Sequence, residues 1–491
     1  MGALTLEDIQ GNILRGYGFP RAAYLFFEVP TAAAGRRFLG ELVDRVQTAV
    51  AWEKGSAPAT ATNVAITCQG LRALGLPAAI IDTLSPAFRE PIRQRAARLL
   101  DDTGPSAPDR WDEGIGSDRS HILVAINARE GCEVELDAEM AAVRSSAEAD
   151  GLRLVHQQDA TALPHRREHF GWADGFGQPS IEGTETKPGG GTPTKGGGWG
   201  DLKAGEFLHG YPDEDAQTTS GPAADVLRNG TYMVYRKLYQ DIVRFRVQLH
   251  EDGLRYGACR GDEPPLSSDE LYELMAAKVV GRWRDGFPAE LERPAGAPTT
   301  KLGDEALPDP PNDFRYQSSG PGAPNDGDGY RCPKGAHIRR TNPRDALGFE
   351  GEMARRHRII RRGMPYGDFL PSAVLEDDGK DRGLIFVCFN ASLERQFEVI
   401  QRQWCNDGNA FGLGNEKDYL LSDTGITGQG TGVTPVSAAD GRISAGRVTI
   451  QGEPPHYVEA RPPVVATKGC EYLLMPGIEA LRDLARGRWD D

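Results

Sequence analysis

Four short apolar runs, with segments of helical spacing between them, occupy the first third of the chain and leave few folds open to it. Tyr24 to Val29 is aromatic and aliphatic and stops at Pro30, as a strand does. Ala32 to Val50 then sets Phe38, Leu39, Leu42, Val43, Val46 and Val50 at helical spacing. Thr62 to Cys68 reads as a second strand, and Gly70 to Leu76 opens a helix whose leucines can cover a sheet. His121 to Ile126 is a third strand, Cys132 to Ala149 a helix, and Leu152 to Asp159 a fourth strand. Strand–helix–strand, written twice, is the order of a ferredoxin-like unit.

A weaker copy returns after Gly230. Thr231 to Arg236 and Arg358 to Arg361 read as strands, and Asp269 to Val280 as a helix. Leu384 to Asn390 is the clearest strand of the second half. Ser392 to Cys405 reads as a helix with Leu393, Phe397, Ile400 and Trp404 on one face. Pro294 to Asp328 is loop-like. Lys187 to Gly198 cannot pack a core and reads as a mobile connection, without the strand and Lys-Ser/Thr context of a phosphate cradle. The composition shifts between about Lys203 and Arg228. The expected fold is α+β, with two ferredoxin-like domains whose antiparallel sheets are flanked by helices. Residues 1–222 form the first, ending in the Gly171–Pro179 segment and the glycine-rich loop, and residues 223–491 form the second.

Charge narrows the partners. A net charge of −15 and a pI near 5.2 argue against nucleic acid and anionic membrane. The densest basic segment, Arg355 to Arg362, serves either an anionic cofactor edge or an ordinary solvated face. Seven scattered cysteines with no CxxC pair point to a reducing compartment. Met1 to Asp8 carries no basic and apolar leader, and no window approaches the roughly 20 apolar residues of a membrane span, so a soluble cytoplasmic protein is expected.

Two segments carry candidate chemistry. In Gly171-Trp172-Ala173-Asp174-Gly175-Phe176-Gly177-Gln178-Pro179 a carboxylate stands between glycines that let backbone approach closely. His337 lies in Cys332-Pro333-Lys334-Gly335-Ala336-His337-Ile338-Arg339-Arg340-Thr341-Asn342-Pro343-Arg344. A metal-ligating imidazole needs an acceptor on its second nitrogen, and Arg339, Arg340 and Arg344 can pair with an anionic cofactor. Taken alone, a histidine near the end of a Pro/Gly loop reads as a cap or surface residue. His165 and His169 are four apart, but Pro164 and the charged neighbours read as loop, and no HExxH motif accompanies them.

Together these segments resemble the dye-decolorizing peroxidases, in particular their longer-chain bacterial members. The Gly-x-x-Asp-Gly carboxylate is Asp174, and the histidine followed by an arginine-rich run ending in Asn342-Pro343-Arg344 is His337. The arginine before a Pro-Tyr-Gly turn is Arg361, and the apolar pair in Gly383 to Val387 is Leu384 and Phe386. Asp8 to Leu14 and Asn390 to Glu398 are similar as well, so the likeness runs over nearly the whole chain.

The resemblance implies a dimeric α+β barrel-like superfamily fold and a haem b cofactor. By it, His337 ligates the iron, Arg344 meets the cofactor, and Leu384 and Phe386 roof the pocket. Asp174 is the proton-transferring base and acid, and Arg361 stabilises the leaving hydroxide. Arg358 and Arg362 rival Arg361, and strand alternation sets Arg361 and Arg362 on opposite faces. Asp423 resembles the acidic partner of the imidazole, with Asp418 and Asp407 as alternatives. The expected activity is reduction of hydrogen peroxide with oxidation of dyes, phenolic or lignin-like compounds. Large dyes imply electron transfer at the surface, for which Trp404, Tyr366 and Trp283 are candidates. Mn(II) is a further reductant of some members, although no carboxylate spacing for it is evident. A haem carrier for storage, transfer or iron release is the alternative. A carrier would need neither Asp174 nor Arg361. The oligomeric state is not set by the sequence.

Overall fold

The computed structural model describes residues 3–184, 190, 192–195, 198–261, 264–292, 310–317, 325–422, 445–446, 448–458 and 461–489. Half of the Lys187–Gly198 segment and most of the Pro294–Asp328 segment lie outside these residues. Nine strands form one sheet: β1 (Arg21–Glu28), β2 (Thr60–Thr67), β3 (Ile122–Ala128), β4 (Arg153–Thr161), β5 (Thr231–Gln240), β6 (Ile360–Arg361), β7 (Met364–Tyr366), β8 (Gly383–Asn390) and β9 (Val465–Met475). Their order is β4-β1-β3-β2-β9-β5-β8-β6, with β7 also on β8, and every pairing is antiparallel.

The first four strands make a ferredoxin-like unit, and β9-β5-β8-β6 repeats it. The two join where Leu473 and Leu474 pair with Thr67 and Ile66. β4 packs beside β7, so the two ends of the sheet curve toward one another. Alternation sorts the side chains. Tyr24, Phe26, Ala125, Met233, Tyr235, Val387 and Phe389 fill the concave inner face. Leu25, Phe27, Val64, Val124 and Val234 face outward, under Phe38, Leu42, Leu136 and Val143 of two covering helices. Each such fully buried side chain contributes roughly 1.5–3 kcal/mol.

Those helices are α1 (Ala32–Val43) and α2 (Glu133–Ala149). Thr31 caps α1 by accepting from Ala34 N. The helix stops seven residues short of Val50, because the following chain is drawn alongside β2. Gln47 N donates to Thr62 O at 2.9 Å, and Gly11 N to Gln47 O at 2.7 Å.

The second half carries α3 (Ile242–Ala258) and α4 (Ser268–Val280), followed by α5 (His337–Thr341) and α6 (Ile478–Arg486). A capping box between Ser267 and Glu270 starts α4. Helices α3 and α4 meet closely at Gly253, where a Cβ would stand 2.9 Å from Leu271 O. The expected helix over Ser392–Cys405 is replaced by a turn and a π-helical stretch, Val399–Cys405. Gln396 holds that turn in place by accepting from Ser392 N and donating to Glu206 O and Arg358 O. The wider π turn sets Ile400 and Gln401 against a cavity. Among the described residues no helix is long and apolar enough to cross a membrane.

Candidate active site

The outer face of β5, β8 and β9 floors a cavity of about 290 Å³. Leu238, Leu384, Phe386 and Val465 supply apolar floor, with Ile338, Leu420 and Leu421 on another wall. Leu384 and Phe386 are half-buried and face the cavity, while Ile385 and Val387 turn inward and are fully buried.

Asp174 reaches the cavity from a loop that only glycine can close. Gly171 and Gly175 take φ of 105° and 90°, in the left-handed region where a Cβ is costly. Asp174 N donates to Arg166 O at 3.0 Å. Glu168 stabilises the loop by accepting from Phe170 N and Trp172 N, and it ties the loop to β5 through Gln240.

Oδ1 of Asp174 accepts from Gly175 N at 2.7 Å and from Nη1 of Arg361 at 3.0 Å. The other oxygen, Oδ2, is thereby left as the one able to take a proton. Burial would raise this carboxyl, but the Arg361 guanidinium and the Gly175 amide, with His337 behind them, together hold it below the usual carboxylate range. Asp174's side chain is 44 % exposed, and it borders the cavity.

Arg361 is itself gripped. Its Nη2 donates to Phe176 O at 2.6 Å, and Gln178 accepts from its backbone N while donating to its carbonyl. Gln178 was visible in the motif, yet nothing in the sequence marked it as the clamp on Arg361. Of the rival arginines, Arg362 turns to the other face, donating to Asn12 O and Ile13 O, as strand alternation requires. Arg358 also lines the cavity, but it donates to Thr192, Gly177 and Gly190 rather than to Asp174.

On another wall, His337 opens α5. Its Nδ1 donates to Oδ2 of Asp418 at 2.9 Å, leaving Nε2 available to the cavity. Asp418 is fully buried, and its Oδ1 accepts from Leu420 N and Leu421 N. Burial disfavours charge on both partners. Their mutual attraction overrides it, raising the imidazole pKa and lowering that of the carboxyl. Of the three acids considered, Asp418 therefore occupies this position. Asp407 is exposed and accepts from Asn409 N, and Asp423 lies outside the described residues.

The expected arginine set changes. Arg344 borders the cavity, donating to Asn312 O at 2.7 Å. Arg339 and Arg340 do not, because they project from other sides of α5. Arg339 binds Asp326 and the Cys332 carbonyl, and Arg340 caps the carbonyls of Gly335, Trp404 and Glu416. Sequence reasoning missed Arg282, which lines the cavity and stacks over Phe314. Burial, then the nearby arginines, push Arg358 down to about 9 and Arg282 down to about 10. Among the described residues neither forms an ion pair. Such crowded, buried cations suit an anionic cofactor edge.

His165 is exposed, and His169 is buried with Nε2 on Tyr366 O at 2.8 Å. Among the described residues no cluster of three or more His, Cys, Asp or Glu side chains is arranged to hold a metal ion. A second cavity of about 840 Å³ reaches the inner sheet face at Tyr24, Met233 and Val387, and shares Glu168, Asp174, Arg361, Gly363 and Leu384 with the first.

Residues 8–162 match the family model described as DyP dimeric alpha+beta barrel domain, and residues 212–415 that of Dyp-type peroxidase, C-terminal. The chain is 30% identical to the dye-decolorizing peroxidase of Mycena epipterygia, over 98% of this chain and 87% of that one. It is also 30% identical to the multifunctional dye peroxidase DyP2 of an Amycolatopsis species, over 98% and 96%. A solved dye-decolorizing peroxidase in complex with 2,6-dimethoxyphenol superposes with a TM-score of 0.76 at 25% identity, covering 98% of this chain and all of that one.

Proposed function

The chain belongs to the dye-decolorizing peroxidases, enzymes that oxidise dyes and phenols, and on that premise we propose that it works on a haem b held by His337. The observation that carries the reading is that His337, already bonded to Asp418, and the Asp174–Arg361 pair line the same cavity. The donor set suits a haem. Nε2 of the imidazole would ligate the iron, Leu384, Phe386, Ile338 and Leu421 of the cavity would give the macrocycle apolar contact, and Arg282, Arg344 and Arg358 would pair with its carboxylates. When bound, haem supplies the redox iron that takes up peroxide's two oxidising equivalents and passes them on singly.

The side chains supply the rest. Asp174, ionised because of Arg361, takes a proton from the peroxide at Oδ2 and returns it to the departing oxygen, which leaves as water. Arg361 keeps its charge throughout and stabilises the negative oxygen as it departs. Phe386 and Leu384 exclude bulk water and leave room for a small oxidant. Asp418 draws on the Nδ1 proton of His337, which makes the imidazole a more basic ligand. The second cavity, meeting the first at Asp174 and Arg361, offers a route for peroxide.

The relative bound to 2,6-dimethoxyphenol supports phenols as reductants, and the cysteine usage supports a cytoplasmic location. A carrier of haem would have no use for a charged Asp174–Arg361 pair, which favours turnover. The test is Asp174→Asn in haem-loaded protein. Dye oxidation should fall about 10²–10⁴-fold while the Soret band stays intact. Undiminished turnover would remove Asp174 from the mechanism.

A further inference from the structure

The second cavity is far larger than hydrogen peroxide requires. Its volume is about 840 Å³. Hydrogen peroxide needs no more than about twice the roughly 30 Å³ that a water takes in the liquid. Cavities of the larger size accept a ligand with a sizeable apolar body. Leu14, Phe19, Tyr24, Met233 and Val387 provide matching walls, the last three from the inner face of the sheet.

Charge on these walls is opposite in sign to that of the whole chain. The chain carries a net charge of −15, yet five arginines line the cavity against the three carboxylates Glu130, Glu168 and Asp174. Arg361 is committed to Asp174, and Arg167 donates to Gly171 O and Arg284 O. Among the described residues Arg15, Arg166 and Arg362 form no ion pair.

Arg15 and Arg362 both act on the Tyr17 phenol, so the two guanidinium groups share one corner. Arg15 stacks over Trp52 at 4.8 Å, and Arg362 donates to Asn12 O at 2.9 Å, which fixes both. Burial pushes Arg362 down to about 10, as expected of a cation without its anion. Arg361 and Arg362 project to opposite sides of the chain. The cavity thus presents Asp174 and Arg361 where it meets the first cavity, and spare cations elsewhere. A molecule that touches both is long and apolar, with an anion at one end and the group on which Asp174 acts farther along.

We propose that this cavity seats a fatty-acid hydroperoxide, which serves as oxidant alongside hydrogen peroxide. The carboxylate pairs with Arg362 and Arg15, and the hydrocarbon lies along Tyr24, Met233 and Val387. Only the O–OH group passes Leu384, which borders both cavities, to reach the first. This rests on the haem reading above. Oδ2 of Asp174 takes the O–OH proton, the O–O bond breaks, and the proton passes to the oxygen on the tail, which leaves as an alcohol beside Arg361. The two oxidising equivalents go to the cofactor and are spent singly on the reductant. In sum, one hydroperoxide and two phenols give one alcohol, one water and two phenoxyl radicals.

Haem-loaded protein is mixed by stopped flow with hydrogen peroxide, the hydroperoxide of linoleic acid, or the methyl ester of that hydroperoxide, and the Soret change gives each bimolecular rate. The free acid should react at least about tenfold faster than its ester, the worth of one charge-assisted contact. Arg362→Gln and Arg15→Gln should each bring that ratio toward one. Calorimetry with the corresponding hydroxy acid, which cannot oxidise the cofactor, should show binding to the wild type that weakens by about the same factor in both variants. Equal rates for acid and ester, or hydroxy-acid binding that both variants keep, would overturn the proposal while a normal hydrogen peroxide reaction leaves the haem reading standing. Protein that shows no Soret band with haem would overturn that reading and the proposal with it.

Discussion

Asp418 accepts the Nδ1 proton of His337 on one carboxylate oxygen, while the backbone amides of Leu420 and Leu421 hold the other. The acceptor is thus fixed by the chain itself and cannot turn away from the imidazole. Asp418→Asn keeps the shape and removes the charge. In haem-loaded protein the midpoint potential should rise, and the bimolecular rate with peroxide should fall about 10–100-fold, as read by redox titration and stopped-flow absorbance. An unchanged potential would mean that Asp418 only orients the ring.

Removal of the Arg361 charge should shift the pH profile. Burial favours neutral Asp174, and Arg361 is the strongest of the groups that oppose it. Without that charge the folded-state pKa rises. In the proposed mechanism Asp174 acts as a base only when deprotonated, so the acid limb of kcat/KM in Arg361→Leu should move to higher pH. A limb at the wild-type position would assign it to another group.

Gly175 sits at φ 90°, and a Cβ there would stand 3.4 Å from the Arg166 guanidinium. Gly175→Ala should cost roughly 1–2 kcal/mol of stability, measured by chemical denaturation. It should also lower kcat, since Asp174 is the preceding residue. A variant as active and as stable as wild type would show that the loop relaxes at no cost.

Glu471, on β9, is 4 % exposed, accepts from Gly116 N at 2.6 Å, and is pushed by burial up to about 8. An unfolded glutamate ionises near 4.3. Between these values the folded state holds the extra proton, so this residue's contribution to stability falls as pH rises from about 4 to 8. Glu471→Gln keeps the acceptor oxygen and should raise Tm more at pH 8 than at pH 5. Equal shifts at both would mean that the carboxyl is ionised throughout.

Much of this was legible in the chain. Continuous apolar runs marked β1, β2, β3 and β8, because those strands are buried on both faces, and helical spacing marked α1, which buries one face. Helix α3 gave no clear signal, since Asp252 and Gly253 lie on its buried face. Strand β9 was hidden by Lys468 and Gly469 in its middle. The glycines around Asp174 and the alternation at Arg361 and Arg362 were readable because each is a local constraint on backbone or strand face, whereas His337 stood out only through the resemblance.

The partnerships were decided only in three dimensions. Asp418 meets His337 across 81 residues and Arg361 meets Asp174 across 187. Likewise Arg282 entered the site, while Arg339 and Arg340 left it for Asp326 and backbone carbonyls. Sequence spacing carries the period of a strand or helix but not which distant segment is folded against it. The electrostatic environment of a charged side chain depends on that second fact.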